Sequence, residues 1–216
     1  MTNSVWPDGN QTQALLNRVR EGEAEAVDKL LERHRDSLRH IVQMRLDRKI
    51  QRRVDVSDIV QDVLVEANRR LRDYLNNPCM AFHLWIRQIA KDRIIDAHRR
   101  HRVSAKRSID REQPIFAPSN EQSTMDLIGQ LFHPDLTPAA NAMQREIAVQ
   151  VELSIQELPE TDRDMILMRH FEQLSNQEIA EALGITEPAA SMRYLRAMRK
   201  LREIITQADT SGESRA

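Results

Sequence analysis

Apolar residues recur at helical spacing along most of the 216-residue chain. Their period of three to four positions predicts amphipathic helices, and no segment alternates apolar and polar residues as a strand does. The predicted helices cover 11–19, 24–53 with a break near Ser37, 56–75, 81–102, 139–157, 162–171 and 176–183, with a last helix after Thr186. The pattern therefore predicts an all-α fold.

Short polar signals mark several of the predicted helix ends. Asp55 can cap the third helix, which the Asn-Asn-Pro sequence at 76–78 then ends, and Thr161 is expected to cap the helix over 162–171. Ser175 and Glu178 have the spacing of a capping box, in which each side chain satisfies a backbone N–H of the other residue. Gly184 stands where a left-handed C-cap belongs, so two helices are expected to meet there at a short turn.

Helical periodicity is lost between residues 104 and 138, where four prolines and scattered polar residues interrupt it. We therefore predict an N-terminal helical domain over 1–103, an acidic, proline-containing linker over 104–138 and a C-terminal domain of four helices over 139–207. Residues 208–216 are expected to form a disordered tail. The predicted architecture is two small helical domains joined by a linker, with a helix-turn-helix in the second.

Charge is distributed unevenly, although the formal net charge is only -1. Residues 87–107 hold eight Lys or Arg against two acids, and residues 191–202 hold five against none. Between them, residues 110–164 hold three basic residues and eleven acids. Basic blocks on helices suit a polyanion such as nucleic acid, and a solvated helix face is the alternative for either block.

The last predicted helix has two different faces. One is apolar and faces the core: Ala190, Tyr194, Ala197, Met198, Leu201 and Ile205. The other is basic, with small or slender residues toward its start: Ala189, Met192, Arg193, Arg196, Arg199 and Lys200. A recognition helix needs such a face, because its first turns enter the major groove and its flanking cations meet phosphates. A purely structural helical hairpin is the alternative.

Several classes of protein find no support in the sequence. The single cysteine, Cys79, excludes an intramolecular disulfide framework, and no Cys/His cluster has zinc-site spacing. There is no glycine-rich phosphate motif. We therefore expect no enzyme, no catalytic residue, no metal and no cofactor. The chain shows neither a signal peptide pattern nor an apolar run of the ~20 residues that a membrane span needs, so a cytoplasmic location is expected.

Three segments carry a resemblance to a known family. The segment "ELPETDRDMILMRHFEQLSNQEIAEALGITEPAASMRYLRAMRKLRE" resembles the domain of sigma-70 family factors that reads the promoter −35 element. Upstream, "DVSDIVQDVLVEANRRL" resembles the polymerase-binding helix of that family, and "AFHLWIRQIAKDRIIDAHRRHR" resembles its −10-reading helix. The blocks occur in the family's order and cover most of residues 15–205. The small two-domain group called extracytoplasmic-function (ECF) sigma factors is the most similar.

The resemblance implies that the β′ coiled coil of core RNA polymerase docks on the third helix. The implied contact residues are Asp58, Ile59, Gln61 and Asp62. An acidic edge on an amphipathic helix suits a helix-on-helix interface that has basic partners around its rim. Taken without the family, the same acids are more simply explained as favouring the positive end of the helix dipole.

The resemblance also implies a pocket that captures an unstacked base of the −10 element. The implied residues lie in the loop before the fourth helix and on that helix: Asn76, Asn77, Lys91, Asp92, Arg93, Asp96, Arg99 and Arg100. Such a pocket needs hydrogen-bonding groups for the base edge and cations for the backbone. Many relatives have Asn where Asp92 stands, which puts the preferred base in doubt. Trp85 is expected to pack in the core rather than to stack on a base.

For the −35 element, the resemblance implies contacts from the start of the last helix. The implied residues are Pro188, Ser191, Met192, Arg193, Arg196, Arg199 and Lys200. Relatives commonly have Gly where Pro188 stands and a basic residue where Ser191 stands. These two departures leave the preferred −35 sequence open.

The expected function is that of a transcription initiation factor. Such a factor binds the β′ and β subunits of core RNA polymerase, contacts double-stranded promoter DNA at −35 and single-stranded DNA at −10, and assists melting. The resemblance adds an anti-sigma factor as a candidate partner. A stand-alone helix-turn-helix regulator that never touches polymerase is the alternative, and a helical interaction protein is a third hypothesis.

Overall fold

The structure is a computed structural model that describes the backbone of residues 5–46, 54–105, 121–131 and 141–213. Its helices, in chain order, are α1 (Gly9–Arg20), α2 (Ala24–Arg45), α3 (Val56–Asn76), α4 (Phe82–Ala105), α5 (Glu121–Leu131), α6 (Asn141–Glu157), α7 (Glu160–Ile166), a π-helix (Leu167–Phe171), α8 (Asn176–Leu183) and α9 (Glu187–Glu213). Over these ranges the chain has helices and no strand, which confirms the all-α prediction.

The chain divides into two compact units, Met1–Pro114 and Ile115–Ala216. The first unit contains α1 to α4, and the second contains α5 to α9 together with the π-helix. Most of the predicted linker, residues 106–120 and 132–138, lies outside the described residues. The domain bounds drawn from the sequence pattern therefore stay predictions.

The N-terminal unit is organised around α2. This helix packs against α1, α3 and α4, and α3 packs in addition against α4. The apolar faces point inward as their spacing predicts, with Ile59, Val63 and Ala67 of α3 all buried. Burial of this face turns the opposite, polar face of α3 to solvent.

The predicted break of α2 near Ser37 is wrong, because the helix is continuous over Ala24–Arg45. Ser37 is buried, and its hydroxyl donates a hydrogen bond of 2.5 Å to the carbonyl oxygen of Val5. The polar group thus has a partner in the segment before α1 and does not interrupt the helix. The part of the prediction that covers 47–53 lies outside the described residues.

An aromatic cluster joins α2, α3 and α4 in the N-terminal unit. The ring of Phe82 lies 4.9 Å from that of His34 and 5.5 Å from that of Tyr74. Trp85 packs on Tyr74 at 4.7 Å and on Phe82 at 5.4 Å, and its side chain is half-buried. Trp85 therefore packs on the edge of this cluster and keeps part of its ring in solvent.

His34 should make the N-terminal unit sensitive to acid. Burial, opposed by a 2.8 Å hydrogen bond to the Leu30 carbonyl, lowers the His34 pKa from 6.5 to about 4. Between these two pH values the unfolded chain is protonated at His34 and the folded chain is not. The stability that the neutral His34 contributes is therefore complete above pH 6.5 and is lost as the pH falls toward 4. The loss should reach about 3 kcal/mol.

Urea unfolding followed by tryptophan fluorescence tests this pH dependence, since Trp6 and Trp85, the two tryptophans of the chain, both belong to the N-terminal unit. We expect the free energy of unfolding to decline between pH 6.5 and pH 4.5, above the range in which carboxylates dominate. The His34→Gln variant should lose most of this slope. An unchanged slope in the variant would assign the acid sensitivity to other groups.

The C-terminal unit includes one helix that the sequence pattern placed in the linker. α5 packs against α6 and the π-helix, and Leu127 and Leu131 are buried there. This helix forms because the otherwise polar segment contains a short apolar patch. The apolar residues of the patch have helical spacing, so they form one face that packs on the neighbouring helices. α9 packs against α6, α7 and α8 and closes this unit.

Two predicted helix ends differ from the structure. Thr161 does not cap a helix, because α7 already begins at Glu160, after Pro159, whose φ of -51° suits the position before a helix. The chain then continues into the π-helix, whose wider turn buries four of its five residues. At the C-terminus of the described chain, α9 continues to Glu213 and so includes most of the predicted tail. Neither Gly nor Pro interrupts residues 202–211.

Candidate functional site

α8 and α9 form the predicted helix-turn-helix, and its local signals are confirmed. The Ser175 hydroxyl accepts a hydrogen bond of 3.2 Å from the Glu178 N–H, and the Glu178 carboxylate accepts one of 2.7 Å from the Ser175 N–H. Gly184 ends α8 with φ 62° and ψ 38°, the left-handed region that glycine adopts without strain. The Asn176 amide donates to the Glu187 carbonyl at 3.0 Å and so joins the start of α8 to the start of α9.

The core face of α9 is as predicted except at Tyr194. The other five residues of that face, Ala190, Ala197, Met198, Leu201 and Ile205, are all buried. Tyr194 is half-buried, and its hydroxyl lies 2.9 Å from His170 Nε2 and donates to Gln130 Oε1 at 2.9 Å. The tyrosine therefore connects the recognition helix to α5 through Gln130 and to the π-helix through His170.

The side of α9 that faces away from the core carries most of the predicted −35 residues. Pro188, Ser191, Met192, Arg193, Arg196 and Arg199 are all exposed. Leu195, which the sequence pattern did not single out, is 56% exposed on the same side. Its position one turn after Ser191 and three residues after Met192 was the available signal.

Lys200 has a different role from the one its charge suggested. Its ammonium lies 2.5 Å from the Asp162 carboxylate, whose side chain is only 10% exposed. This ion pair holds α9 against α7, so we assign Lys200 to the fold rather than to DNA. Arg202 likewise has a partner within the protein, because its guanidinium donates a hydrogen bond of 2.8 Å to the Gln130 carbonyl.

The acidic face of α3 is exposed as the polymerase-binding hypothesis requires, with one exception. Asp55 caps the helix by accepting a hydrogen bond of 2.8 Å from the Ser57 N–H. Asp58, Gln61 and Asp62 are all exposed. Ile59 is buried in the core of its own unit, so we assign it to packing and not to a contact with another protein.

Val65 completes this face and was missed by the sequence prediction. Its side chain is 59% exposed and lies one turn after Gln61 and Asp62. An exposed valine surrounded by polar groups supplies the apolar centre that a helix-on-helix interface needs. A helical wheel of the predicted helix places Val65 opposite the buried residues, and this position was the available signal.

The predicted −10 residues separate into exposed and internally bound groups. Asn76 ends α3, Asn77 is its C-cap, and both are exposed in front of α4. On α4, Asp92, Arg99 and Arg100 are exposed, and Lys91 is half-buried. These side chains are not all close together. The asparagines lie before the start of α4, whereas the two arginines lie near its C-terminal end.

Arg93 and Asp96 belong to an ion-pair cluster centred on Glu66, which the sequence prediction did not include. The buried Glu66 carboxylate lies 2.9 Å from Arg93 and 2.7 Å from Arg69, and it also accepts a hydrogen bond from Arg70. Arg93 is in addition 3.8 Å from Asp96. The hydrogen bonds and charges of Arg69 and Arg70 hold the pKa of Glu66 below its usual value.

This cluster links the two candidate surfaces of the N-terminal unit. A cleft of about 360 Å³ runs between α3 and α4, with Asp62 and Val65 on one wall and Asp96, Arg99 and Arg100 on the other. Glu66 and Arg93 also line the cleft and pair with each other across it. Arg93 is therefore engaged within the protein. Arg99, 4.0 Å from the Asp96 carboxylate, and Arg100, which donates to the Asp96 carbonyl, keep exposed side chains that a phosphate backbone can reach.

The described ranges contain neither a metal-binding cluster nor a membrane-spanning helix. Among those residues, no group of three or more His, Cys, Asp or Glu side chains is arranged to hold a metal ion. No helix in the same ranges is both long and apolar enough to cross a membrane.

Comparison with known proteins matches both units. The family model described as "Sigma-70 region 2" matches residues 30–103, and that described as "Sigma-70, region 4" matches residues 145–201. The RNA polymerase sigma-H factor of Pseudomonas aeruginosa is 27% identical over 199 residues, which is 92% of this chain and 93% of that protein. The ECF RNA polymerase sigma-E factor of Haemophilus influenzae is 25% identical over 185 residues, or 86% of this chain and 90% of that protein.

Solved structures agree in fold. The structure of CnrH in complex with the cytosolic domain of CnrY superposes with a TM-score of 0.56 and 20% identity, and it covers 91% of this chain and 97% of the other. The two sigma-70 regions, the exposed acidic face of α3 and the helix-turn-helix with its basic outer face are thus found together in one polypeptide. The chain belongs to the sigma-70 family of RNA polymerase sigma factors, in its ECF group.

Proposed function

We propose that this protein binds core RNA polymerase and directs it to specific promoters through contacts at the −10 and −35 elements. The observation that carries the proposal is the presence of sigma-70 regions 2 and 4 in one chain, in that order. Each region has an exposed, charged surface that fits its share of the task. A stand-alone regulator would need only the second region, and no observation favours that alternative.

The polymerase contact is proposed for the exposed face of α3. Asp58, Gln61 and Asp62 lie within the two turns before Val65, so an acidic, hydrogen-bonding edge leads to an exposed apolar residue. A coiled coil of the β′ subunit with basic flanks would bury the valine and pair with the two carboxylates. Contacts with the β subunit are expected from the family, and no residue of this chain is assigned to them.

The −10 contact is proposed for the loop after α3 and the outer face of α4. Asn76 and Asn77 supply amide groups that hydrogen-bond a base edge, while Arg99 and Arg100 attract the strand's phosphates. Asp92 is exposed and accepts hydrogen bonds only, so it favours a base that presents a donor. Capture of an unstacked base stabilises the melted strand, and this role needs no nucleotide hydrolysis.

The −35 contact is proposed for the outer face of α9 in double-stranded DNA. Ser191 and Met192 lie near the start of the helix, where recognition helices meet base edges, and Arg193, Arg196 and Arg199 follow. The arginines neutralise phosphates and set the register of the helix in the groove. Lys200 supports this face indirectly, because it fixes α9 on Asp162.

Other parts of the proposal follow from the family rather than from a particular residue. Sigma factors are generally non-enzymatic, and we propose no catalytic activity, metal or cofactor for this chain. It would act where RNA polymerase acts, in the cytoplasm. CnrH was solved in complex with CnrY, and RpoE of Bartonella quintana with the anti-sigma factor NepR, so an anti-sigma partner is proposed here also.

Transcription in vitro tests the function directly. We would add the purified chain to core polymerase freed of other sigma factors, with a pool of genomic fragments from the source organism as template. The expected result is initiation at discrete sites whose upstream sequences share two motifs. Absence of specific initiation, with DNA binding by the chain alone, would instead support the stand-alone regulator.

A further inference from the structure

The exposed surface of α9 divides into two stripes of different chemistry. Arg193, Arg196 and Arg199 follow one another at intervals of three residues and form a basic stripe. Next to it lies a neutral stripe made of Pro188, Ser191, Met192 and Leu195. The family's −35 function explains the basic stripe as phosphate contacts, but charge alone does not explain why the neutral stripe ends in two large apolar side chains.

Met192 and Leu195 are two of the most exposed apolar side chains among the described residues. Met192 is 61% exposed and Leu195 is 56% exposed, and they lie three residues apart on adjacent turns. Side chains of this size stabilise a monomer when they are buried, so their joint exposure on a recognition helix indicates contact with something apolar. In the major groove that group is the 5-methyl of thymine, the only methyl group that the four bases present there.

We propose that Met192 and Leu195 read thymine methyl groups in the −35 element, so that this element requires thymine at the positions facing them. The inference rests on the proposed promoter function and adds the chemistry of its specificity. Ser191, beside them, bonds to any base edge and therefore discriminates little. The short, neutral Ser191 leaves room for these contacts, whereas a long cation at position 191 would occupy the same stretch of the groove.

The surrounding charge selects DNA over a protein as the occupant of this apolar pair. Residues 191–202 include five Lys or Arg and no acid. Of these, Lys200 is paired with Asp162 and Arg202 contacts Gln130, which leaves the stripe of three arginines directed outward. Three arginines within two turns, alongside an apolar edge, match the alternation of phosphates and base methyls along a groove.

Deoxyuridine provides the test, because it differs from thymidine only by the methyl group. The holoenzyme would be bound to a fluorescent promoter duplex selected in the transcription experiment, with each −35 thymine replaced in turn by deoxyuridine. Burial of one methyl group is worth a factor of about 4 in affinity. We expect at least one replacement to weaken binding of the wild-type holoenzyme by about that factor.

Matched variants show which side chain contacts each methyl. Met192→Ala and Leu195→Ala should each bind the unmodified promoter more weakly and should each become insensitive to deoxyuridine at one position. Arg196→Ala, the control, should weaken binding to both duplexes equally and reduce the slope of log affinity against log salt by about 1. Because all three side chains are exposed, unchanged thermal unfolding is expected and verifies that each variant is folded.

Three results would overturn the inference. The first is a −35 motif without thymine at any position, and the second is equal affinity of wild type for thymidine and deoxyuridine duplexes throughout. The third is full promoter affinity in both alanine variants, which would make the pair a docking surface for a protein. All three presuppose specific initiation, so they are distinct from a failure of the proposed function, in which no such promoter is found.

Discussion

Replacement of Asp58 and Asp62 by lysine is expected to weaken binding to core RNA polymerase about 100-fold, because like charges placed together across an interface cost several kcal/mol. Both carboxylates are exposed beside Val65, so the exchange alters the interface without disturbing a buried group. Binding would be measured by competition with a labelled sigma factor for core enzyme. The loss should shrink as salt is raised, since exposed charges are screened.

A control for this variant lies on α2. Asp28 and Asp36 are also exposed acids of the N-terminal unit, and their exchange for lysine changes the net charge of the protein by the same amount. This variant should keep nearly full affinity for core enzyme. If the two double variants lose affinity equally, the effect is one of overall charge, and the assignment of the α3 face to polymerase is wrong.

Truncation of Phe171 to alanine is expected to destabilise the C-terminal unit by about 3–5 kcal/mol. Phe171 is fully buried at the end of the π-helix, which α5 and α8 both contact. Removal of its ring leaves a cavity between elements that cannot all close on it. Leu153→Ala is the matched control, since Leu153 is 41% exposed on α6 and its truncation should cost no more than about 0.5 kcal/mol.

The placement of the tryptophans separates the two units in this experiment. Both lie in Met1–Pro114, so tryptophan fluorescence follows the N-terminal unit, whereas far-ultraviolet circular dichroism follows all helices. In Phe171→Ala, the circular dichroism transition should shift to lower urea while the fluorescence transition stays in place. A joint shift of both signals would mean that the units unfold cooperatively, contrary to their division by contacts.

Local signals explain which parts of the fold were predictable. The capping box of Ser175 and Glu178, the left-handed Gly184 and the cap at Asp55 each depend on residues within one turn. Periodicity likewise gave the buried faces of α3 and α9, because burial on a helix repeats with its own turn. These features needed no knowledge of which helices pack together.

The unpredicted features depend on contacts between residues that are distant in sequence. Lys200 looks like a phosphate contact until Asp162, 38 residues earlier, is seen to hold it. Arg93 is likewise committed to Glu66 of the preceding helix. A charge pattern counts such cations as available, and only the packing of α3 against α4 and of α7 against α9 shows which are used within the protein.

Helix α5 bears on how the DNA-reading half can be produced as a separate fragment. A fragment that begins at residue 139, where regular periodicity resumes, would lack Leu127 and Leu131 and the Gln130 groups that Tyr194 and Arg202 contact. Such a fragment would expose apolar surface of α6 and the π-helix and would leave the recognition helix with fewer supports. The shortest fragment that keeps the unit intact therefore begins before Glu121.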